Sequence, residues 1–220
     1  MRYLHLLRLL IISVIFVTGS FTARAAIITI EGISYNVYTQ FGEAYVNGCS
    51  KDVKVARILN EVEYEGRKFP VTKITGGFSN LPKLEEIYIP SSITTVSYSS
   101  IRSLDNLKKS EFESLESMFL IDFEGDSPVM YSHNVFIDGE EITEITVPSS
   151  ITKIFPCLEG ATNIRSIKIH GGVTVIYYAA FSGCTGLEEV DLGEGLDFLD
   201  YDIFKDCTSL THISFPESIT

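Results

Sequence analysis

Cysteine is scarce, four in 220 residues, too few for disulfides to stand in for a hydrophobic core as they do in small secreted scaffolds. Basic residues are in deficit: 17 Lys and Arg face 29 Asp and Glu, and a formal charge of −12 excludes a general affinity for nucleic acid or anionic lipid driven by net positive charge. No Asn-x-Ser/Thr triplet occurs, so the chain offers no N-glycosylation acceptor. Past residue 25 no apolar run comparable to the first one returns. What is present is a chain 45% apolar and 21% charged, the balance of a protein that buries a core and not of a disordered tail.

Residues 1–25 contain Arg2, Arg8 and Arg24 but no acid, an apolar run from Leu9 to Val17, then Thr18-Gly19-Ser20 and the small-residue pattern Ala23-Arg24-Ala25. A basic start, an apolar stretch short of the roughly 20 residues that span a bilayer, and narrow side chains at the cut describe an export signal. An uncleaved anchor is the alternative. Cleavage is expected after Ala25; losing three arginines takes the charge from −12 to −15, which suits a soluble protein secreted or held at the cell surface.

Self-similarity organises the remainder. Leu84-Glu-Glu-Ile87-Tyr-Ile89, Ile164-Arg-Ser-Ile167-Lys-Ile169, Leu187-Glu-Glu-Val190-Asp-Leu192 and Leu210-Thr-His-Ile213-Ser-Phe215 align, the last three spaced by 23 residues. Leu107 follows Leu84 by 23, and Ile142-Thr-Glu-Ile145-Thr-Val147 opens a unit 22 before Ile164, which makes six starts. Later positions keep step: Ile93, Ile151, Val173, Leu196 and Ile219 come nine residues after their starts, and Ile101, Phe181 and Phe204 seventeen after. A fixed period of this length is the mark of a solenoid.

Within a unit, apolar residues two apart, such as Ile87 and Ile89, lie on one face of a short strand. Pro90, Pro148 and Pro216 recur six residues after the start, where a missing N–H ends the pairing without orphaning a donor. The Ser-Ser-Ile-Thr segment that follows predicts a second short strand, and Tyr-Ala-Ala-Phe-Ser-Gly-Cys a single helical turn. One coil cannot bury its apolar side alone, so neighbours must stack with equivalent strands about 4.8 Å apart.

These residues resemble the leucine-rich repeats of the BspA-like type found in many bacterial surface proteins. The resemblance covers residues 71–220 and is carried most specifically by Val173-Thr-Val-Ile-Tyr-Tyr-Ala-Ala-Phe-Ser-Gly-Cys184-Thr-Gly-Leu187 and Ile89-Pro-Ser-Ser-Ile-Thr94. It implies a leucine-rich-repeat solenoid, β-rich α/β, here with five to six coils of period 23 and a parallel strand ladder. Two units depart from the pattern. Unit 142–163 reads Phe155-Pro-Cys-Leu in place of the Ala-Phe turn, which puts Cys157 out of step. Unit 107–141 is irregular, sets Ser110 at a core position, and predicts a hairpin from Val135 to Val147 turning at Asp138-Gly139.

Residues 26–70 lack the period and read as a small N-terminal β cap, with strands at Ile27 to Ile30, Tyr35 to Tyr38 and Val53 to Leu59 and a turn at Glu65-Gly66. At the other end the sequence stops at Ile219-Thr220, and the uncapped layer of Val190, Leu192, Leu196 and Phe204 is expected to stay half covered unless more chain, or a partner, lies over it. Self-association through that coil is one such cover.

Chemistry-bearing patterns are sparse. Cys184 and Cys207 occupy equivalent positions on neighbouring coils, so they form either a disulfide or a ladder of buried thiols. No histidine lies within four residues of a cysteine or of another histidine, which removes the usual zinc spacing. Asp122-Phe-Glu124-Gly-Asp126 alternates acids without the downstream glycine and glutamate of a calcium loop. No Gly-x-Ser-x-Gly and no phosphate-cradling glycine motif occurs, so neither an enzyme nor a cofactor or metal is indicated.

The strand residues that alternate with the buried ones face the concave solvent side: Glu86 and Tyr88, Glu144 and Thr146, Ser166 and Lys168, Glu189 and Asp191, His212 and Ser214. They form either a solubilising surface or a ligand face, with Tyr88 the best single anchor. The family resemblance implies adhesion to a host or cell-surface protein; a structural spacer or assembly module is the alternative, and an enzyme acting on an extracellular polymer a third. N-terminal sequencing of the exported protein should begin at Ala26; a membrane-retained chain with residues 1–25 intact would contradict the export reading.

Overall fold

The structure is a computed structural model that describes residues 25–217. Apart from Ala25, the segment read as an export signal lies outside the described residues, as does Ile219. The repeats stack as the period requires: about seven turns carry parallel ladders of short strands. One hydrophobic core runs without interruption from Ile28 to Ile203.

Three antiparallel strands open the described chain, Ala25–Ile30, Ile33–Tyr38 and Glu43–Cys49. The last of these has no counterpart in the sequence reading. Its alternation of Ala44 and Val46 inward is cut short by Asn47-Gly48, which hides the period-two pattern. Glu43–Cys49 then pairs in parallel with Arg67–Ile74, which pairs with Thr95–Val96 and through it with Asp122–Phe123. The N-terminal sheet thus continues directly into a ladder of the solenoid and covers its first edge.

The inner ladder also starts earlier than residue 71. Val55–Arg57 pairs in parallel with Glu86–Ile89, matching Ala56 to Ile87. The first coil is therefore built inside the segment assigned to the cap, and its length comes from a hairpin of Glu61–Tyr64 on Arg67–Ile74. That hairpin turns at Glu65-Gly66, with φ of 50° and 71°, the two left-handed positions of the tight turn whose twist matches paired strands. Asp138-Gly139 repeats the geometry at 50° and 85°.

Regular coils have three sides. Strands end at Ile89 and Thr146, just before Pro90 and the Val147-Pro148 pair, as the prolines require. Second strands follow at Lys153–Ile154, Val175–Ile176 and Phe198–Leu199. The third side is not the helical turn expected from Tyr-Ala-Ala-Phe-Ser-Gly-Cys. Ala179 and Gly183 take φ of 55° and 72°, which breaks helical continuity. The turn amides pair across coils instead: Ala179, Phe181 and Gly183 donate to the carbonyls of Tyr201, Ile203 and Lys205. Helix occurs among the described residues at Leu115–Leu120, capped by Ser114 and Ser117, and at Val129–Ser132, both inside the irregular unit.

That unit divides the inner ladder in two. One part runs through Val55–Arg57, Glu86–Ile89, Lys109–Phe112 and Phe136–Ile137, closed by the antiparallel Glu140–Glu141; the other contains Glu144–Thr146, Ser166–Lys168, Glu189–Asp191 and His212–Ser214. Ser110 is fully buried in the first part because the Ser132 hydroxyl donates to it at 2.7 Å. In unit 142–163 Cys157 is buried and Leu158 fills the core where later coils place Phe181. All four cysteines are free; the Cys184 and Cys207 thiols donate to the carbonyls of Leu158 and Phe181 at 3.2 and 3.1 Å. Of the layer expected to stay half covered, Val190 and Leu192 are buried beside the His212–Ser214 rung, and Leu196 is buried as well. Phe204 alone in that set remains partly exposed.

Coils approach most closely at glycine. A Cβ on Gly195 would lie 1.9 Å from the Gly171 carbonyl oxygen, so these two glycines are a contact point between coils. Gly195→Ala should lower stability by about 1–3 kcal/mol, measured as a fall in the urea midpoint at unchanged slope.

Candidate functional site

The ladder registers decide which predicted face residues are neighbours. In the second part, Glu144, Ser166, Glu189 and His212 form one row and Thr146, Lys168, Asp191 and Ser214 the other, all on the side opposite the buried Ile145, Ile167 and Val190. Glu86 and Tyr88 do not join them. Their neighbours are Val55 and Arg57 on one side and Lys109 and Glu111 on the other. Passing directly from Glu86 and Tyr88 to Glu144 and Thr146 omits two rungs, because unit 107–141 supplies Lys109–Phe112 and Phe136–Ile137 before its hairpin.

The first part therefore holds a row that sequence reasoning missed: Arg57, Tyr88, Glu111 and Phe136 stand side by side in register. Arg57 Cζ lies 5.8 Å from the centre of the Tyr88 ring, and Lys109 Nζ 4.6 Å from that of Phe136. Lys109 also pairs with Glu111 at 2.9 Å, their side chains only 23% and 11% exposed. Partial burial lifts the Tyr88 phenol above its ordinary pKa, with the Glu113, Glu111 and Asp138 carboxylates adding to the rise and Arg57 opposing it. Tyr88 thus stays a protonated hydrogen-bond donor at neutral pH. Asp138 sits at the hairpin turn, so the hairpin brings its charge to bear on a residue 50 positions earlier in the chain. The signal that could have found Lys109 and Glu111 was their spacing, two and four after Leu107; the polar Ser110 between them concealed it.

Glu113 fixes three coils at the margin of this row. Its carboxylate accepts the Ser91 amide and hydroxyl, each at 2.7 Å, and the Asn60 side-chain amide at 3.3 Å. Beyond the row, an open cleft of about 390 Å³ is lined by Lys54, Lys83, Lys108, Glu85, Pro82 and Asn106. Two of its three lysines are paired with carboxylates, Lys83 with Asp52 at 2.5 Å and Lys108 with Glu85 at 2.7 Å.

Two of the acids of Asp122 to Asp126 serve separate structural ends: Glu124 accepts the Tyr98 amide, and Asp126 accepts the Tyr131 hydroxyl at 2.6 Å. Among the described residues no three His, Cys, Asp or Glu side chains gather as a metal site. No helix there is long and apolar enough to cross a membrane.

The sequence pattern described as BspA type leucine-rich repeat region matches six copies over residues 69–125 and 130–220. The chain belongs to that family. The gap between the two matched stretches falls inside the irregular unit that splits the inner ladder. Among solved structures, the chain is similar to a leucine-rich repeat protein of Bacteroides ovatus at 19% identity, covering 87% of this chain and 54% of that one with a TM-score of 0.45. It is similar to a leucine-rich repeat protein of T. pallidum at 16%, covering 86% and 82% with a TM-score of 0.49. A leucine-rich cell surface protein of Faecalibacterium prausnitzii is 13% identical, covering 88% and 89% at 0.30. The chain spans about half the length of the B. ovatus protein. No curated protein matches it.

The Ser91 amide, first among its causes, holds the Glu113 carboxyl below the usual glutamate value of 4.5. A depressed acid contributes stability that is complete above its unfolded pKa and lost as the pH falls through the folded one. Glu113→Gln should accordingly be less stable than the parent at neutral pH, with the difference closing as the pH drops below about 4.5 in paired urea titrations. A difference that persists undiminished at pH 2 would assign the loss to something other than the carboxylate charge.

Proposed function

We propose that this BspA-type protein is exported and binds another protein at the bacterial surface through the solvent face of its inner ladder, with the row Arg57, Tyr88, Glu111 and Phe136 as the anchor. The observation that carries the reading is that two aromatic rings, each with a cation over it, stand in register on rigid strands beside the paired Lys109 and Glu111. Aromatic and arginine side chains that are already held in place dominate protein interfaces because little entropy remains to be lost on docking. The hairpin around Asp138 flanks the row on one side. Membership of a family found in many bacterial surface proteins supports location and partner class, and the basic, apolar leader supports export. Adhesion to a host protein is the finer reading, drawn from the family resemblance. Glu144, Thr146, Ser166, Lys168, Glu189, Asp191, His212 and Ser214 extend the same surface along the second part of the ladder.

A spacer or assembly role without a specific ligand is the second reading. The two separate by experiment. The mature chain, immobilised, should retain a surface-labelled protein that the Tyr88→Ala, Phe136→Ala double variant releases, with affinity down about tenfold or more and an unchanged circular dichroism spectrum. Equal retention by the double variant would move the interface away from this row.

A further inference from the structure

The outer ladder of the later coils carries a second surface, in a sheet separate from the inner rungs. In its register Ile154, Ile176 and Leu199 turn inward, and Lys153, Val175 and Phe198 outward. Just past each strand the chain lays aromatic rings coil on coil. Phe155 stacks on Tyr177 with centroids 4.8 Å apart and planes at 11°, and Tyr178 meets Tyr201 at 4.5 Å and 46°. Tyr178, Phe198 and Tyr201 are 45%, 52% and 69% exposed. Tyr178 is this open with a coil on either side, as is Tyr98 at 68% in the equivalent position of an earlier coil, so this face of the stack leaves its rings to solvent between coils.

The backbone beneath the tyrosines is pinned. One oxygen of the Asp200 carboxylate accepts the Tyr178 amide at 3.2 Å and the other the Tyr201 amide at 2.9 Å. The charge around the rings is one-sided. Residues 187–209 hold eight acids against a single base, Lys205, and Asp197, Asp200 and Asp202 belong to the same segment as Phe198 and Tyr201. Lys205 shows what a cation meets there: its ammonium lies 3.4 Å from Asp202, and the Asp202 and Asp206 charges hold its pKa above the ordinary lysine value. Residues 51–109, by contrast, carry ten bases and seven acids, so the acidic field is local and not a property of the whole molecule.

Aromatic faces attract ammonium and guanidinium groups through the ring quadrupole, and surrounding carboxylates select and steer a positively charged partner. We propose that the outer face centred on Tyr178, Phe198 and Tyr201 docks a lysine- and arginine-bearing segment of a partner protein, independently of the inner-ladder site. A neutral glycan would use the rings but has no use for the carboxylates, and a second copy of the chain would have to bring one of its own basic segments.

The test uses the mature chain and a fluorescent octapeptide of alternating lysine and arginine, titrated by anisotropy at two salt concentrations, with an all-glutamate octapeptide beside it. The basic peptide should bind and the acidic one should not. Phe198→Ala and Tyr201→Ala should each weaken binding about two- to fivefold. Asp197→Asn with Asp202→Asn should weaken it and flatten the salt dependence. Glu140→Gln with Glu141→Gln, the same charge change on the exposed hairpin, should leave it unaltered. Melting temperatures should stay at the parent value, and the Tyr88→Ala, Phe136→Ala chain should bind the peptide normally, which separates this site from the proposed ladder interface. The proposal fails if the hairpin pair costs as much as the aspartate pair, since net charge alone would then explain binding. It fails equally if the aromatic variants bind like the parent, if a neutral oligosaccharide binds in a Tyr201-dependent way while the peptide does not, or if sedimentation shows the chain pairing with itself through Tyr201.

Discussion

Five inner rungs each hang on one shared carbonyl. Lys54 accepts the amides of Glu85 and Glu86, Glu85 those of Lys108 and Lys109, Thr143 those of Arg165 and Ser166, Arg165 those of Glu188 and Glu189, and Glu188 those of Thr211 and His212. The first bond of each pair is 2.7 to 3.0 Å and the second 3.1 to 3.4 Å. Two consecutive amides on one acceptor make a one-residue slip costly, and a slip would also turn Ile167 and Val190 out to solvent. The aliphatic rows supply most of the stabilisation, through area removed from water. The shared carbonyl supplies the register without which those rows would not exist.

Between Glu85 and Thr143 the pattern is replaced. The rung after Lys109–Phe112 turns back on itself at Asp138-Gly139 instead of passing its carbonyl to a next coil. Scattered bonds make the join: the Ser127 hydroxyl donates to the Cys157 carbonyl at 3.1 Å, and the His133 carbonyl accepts the Thr162 amide at 2.9 Å. The His133 ring meets the Gly160 carbonyl at 3.1 Å. The core is continuous across this break although neither ladder is, so the interruption costs strand pairing and not core continuity. Its product is a hairpin beside the Tyr88 row, and this break is what makes the inner face differ along its length.

Where a repeat keeps its period, the sequence is nearly sufficient. Ile145, Ile167, Val190 and Ile213 fall in register as their 22- and 23-residue spacings require, and the prolines mark strand ends. What escaped was the part of the fold whose signal is polar or out of step. Ser110 is a core residue only because Ser132, brought back by a short helix, satisfies its hydroxyl. Ala56 is a rung residue too small to stand out as hydrophobic, which hid the first coil inside the apparent cap. The third side of each coil was misread because alanine at φ of 55° is held by cross-coil hydrogen bonds, a tertiary effect that local propensity does not contain.

The acids of the two faces have different structural explanations, which bears on which of them is there for a partner. Along the inner ladder like charges are kept apart: Glu189 stands between Ser166 and His212, and Asp191 between Lys168 and Ser214. Spacing of this kind is what a stable parallel ladder needs, since like charges directly opposite destabilise a pair. Asp200 is accounted for by the two amides it accepts. Asp197 and Asp202 are exposed, and Asp202 has only a long, solvent-screened contact with Lys205, worth little to the fold. Stability gives no reason for such carboxylates to cluster around open aromatic rings. A charged partner does.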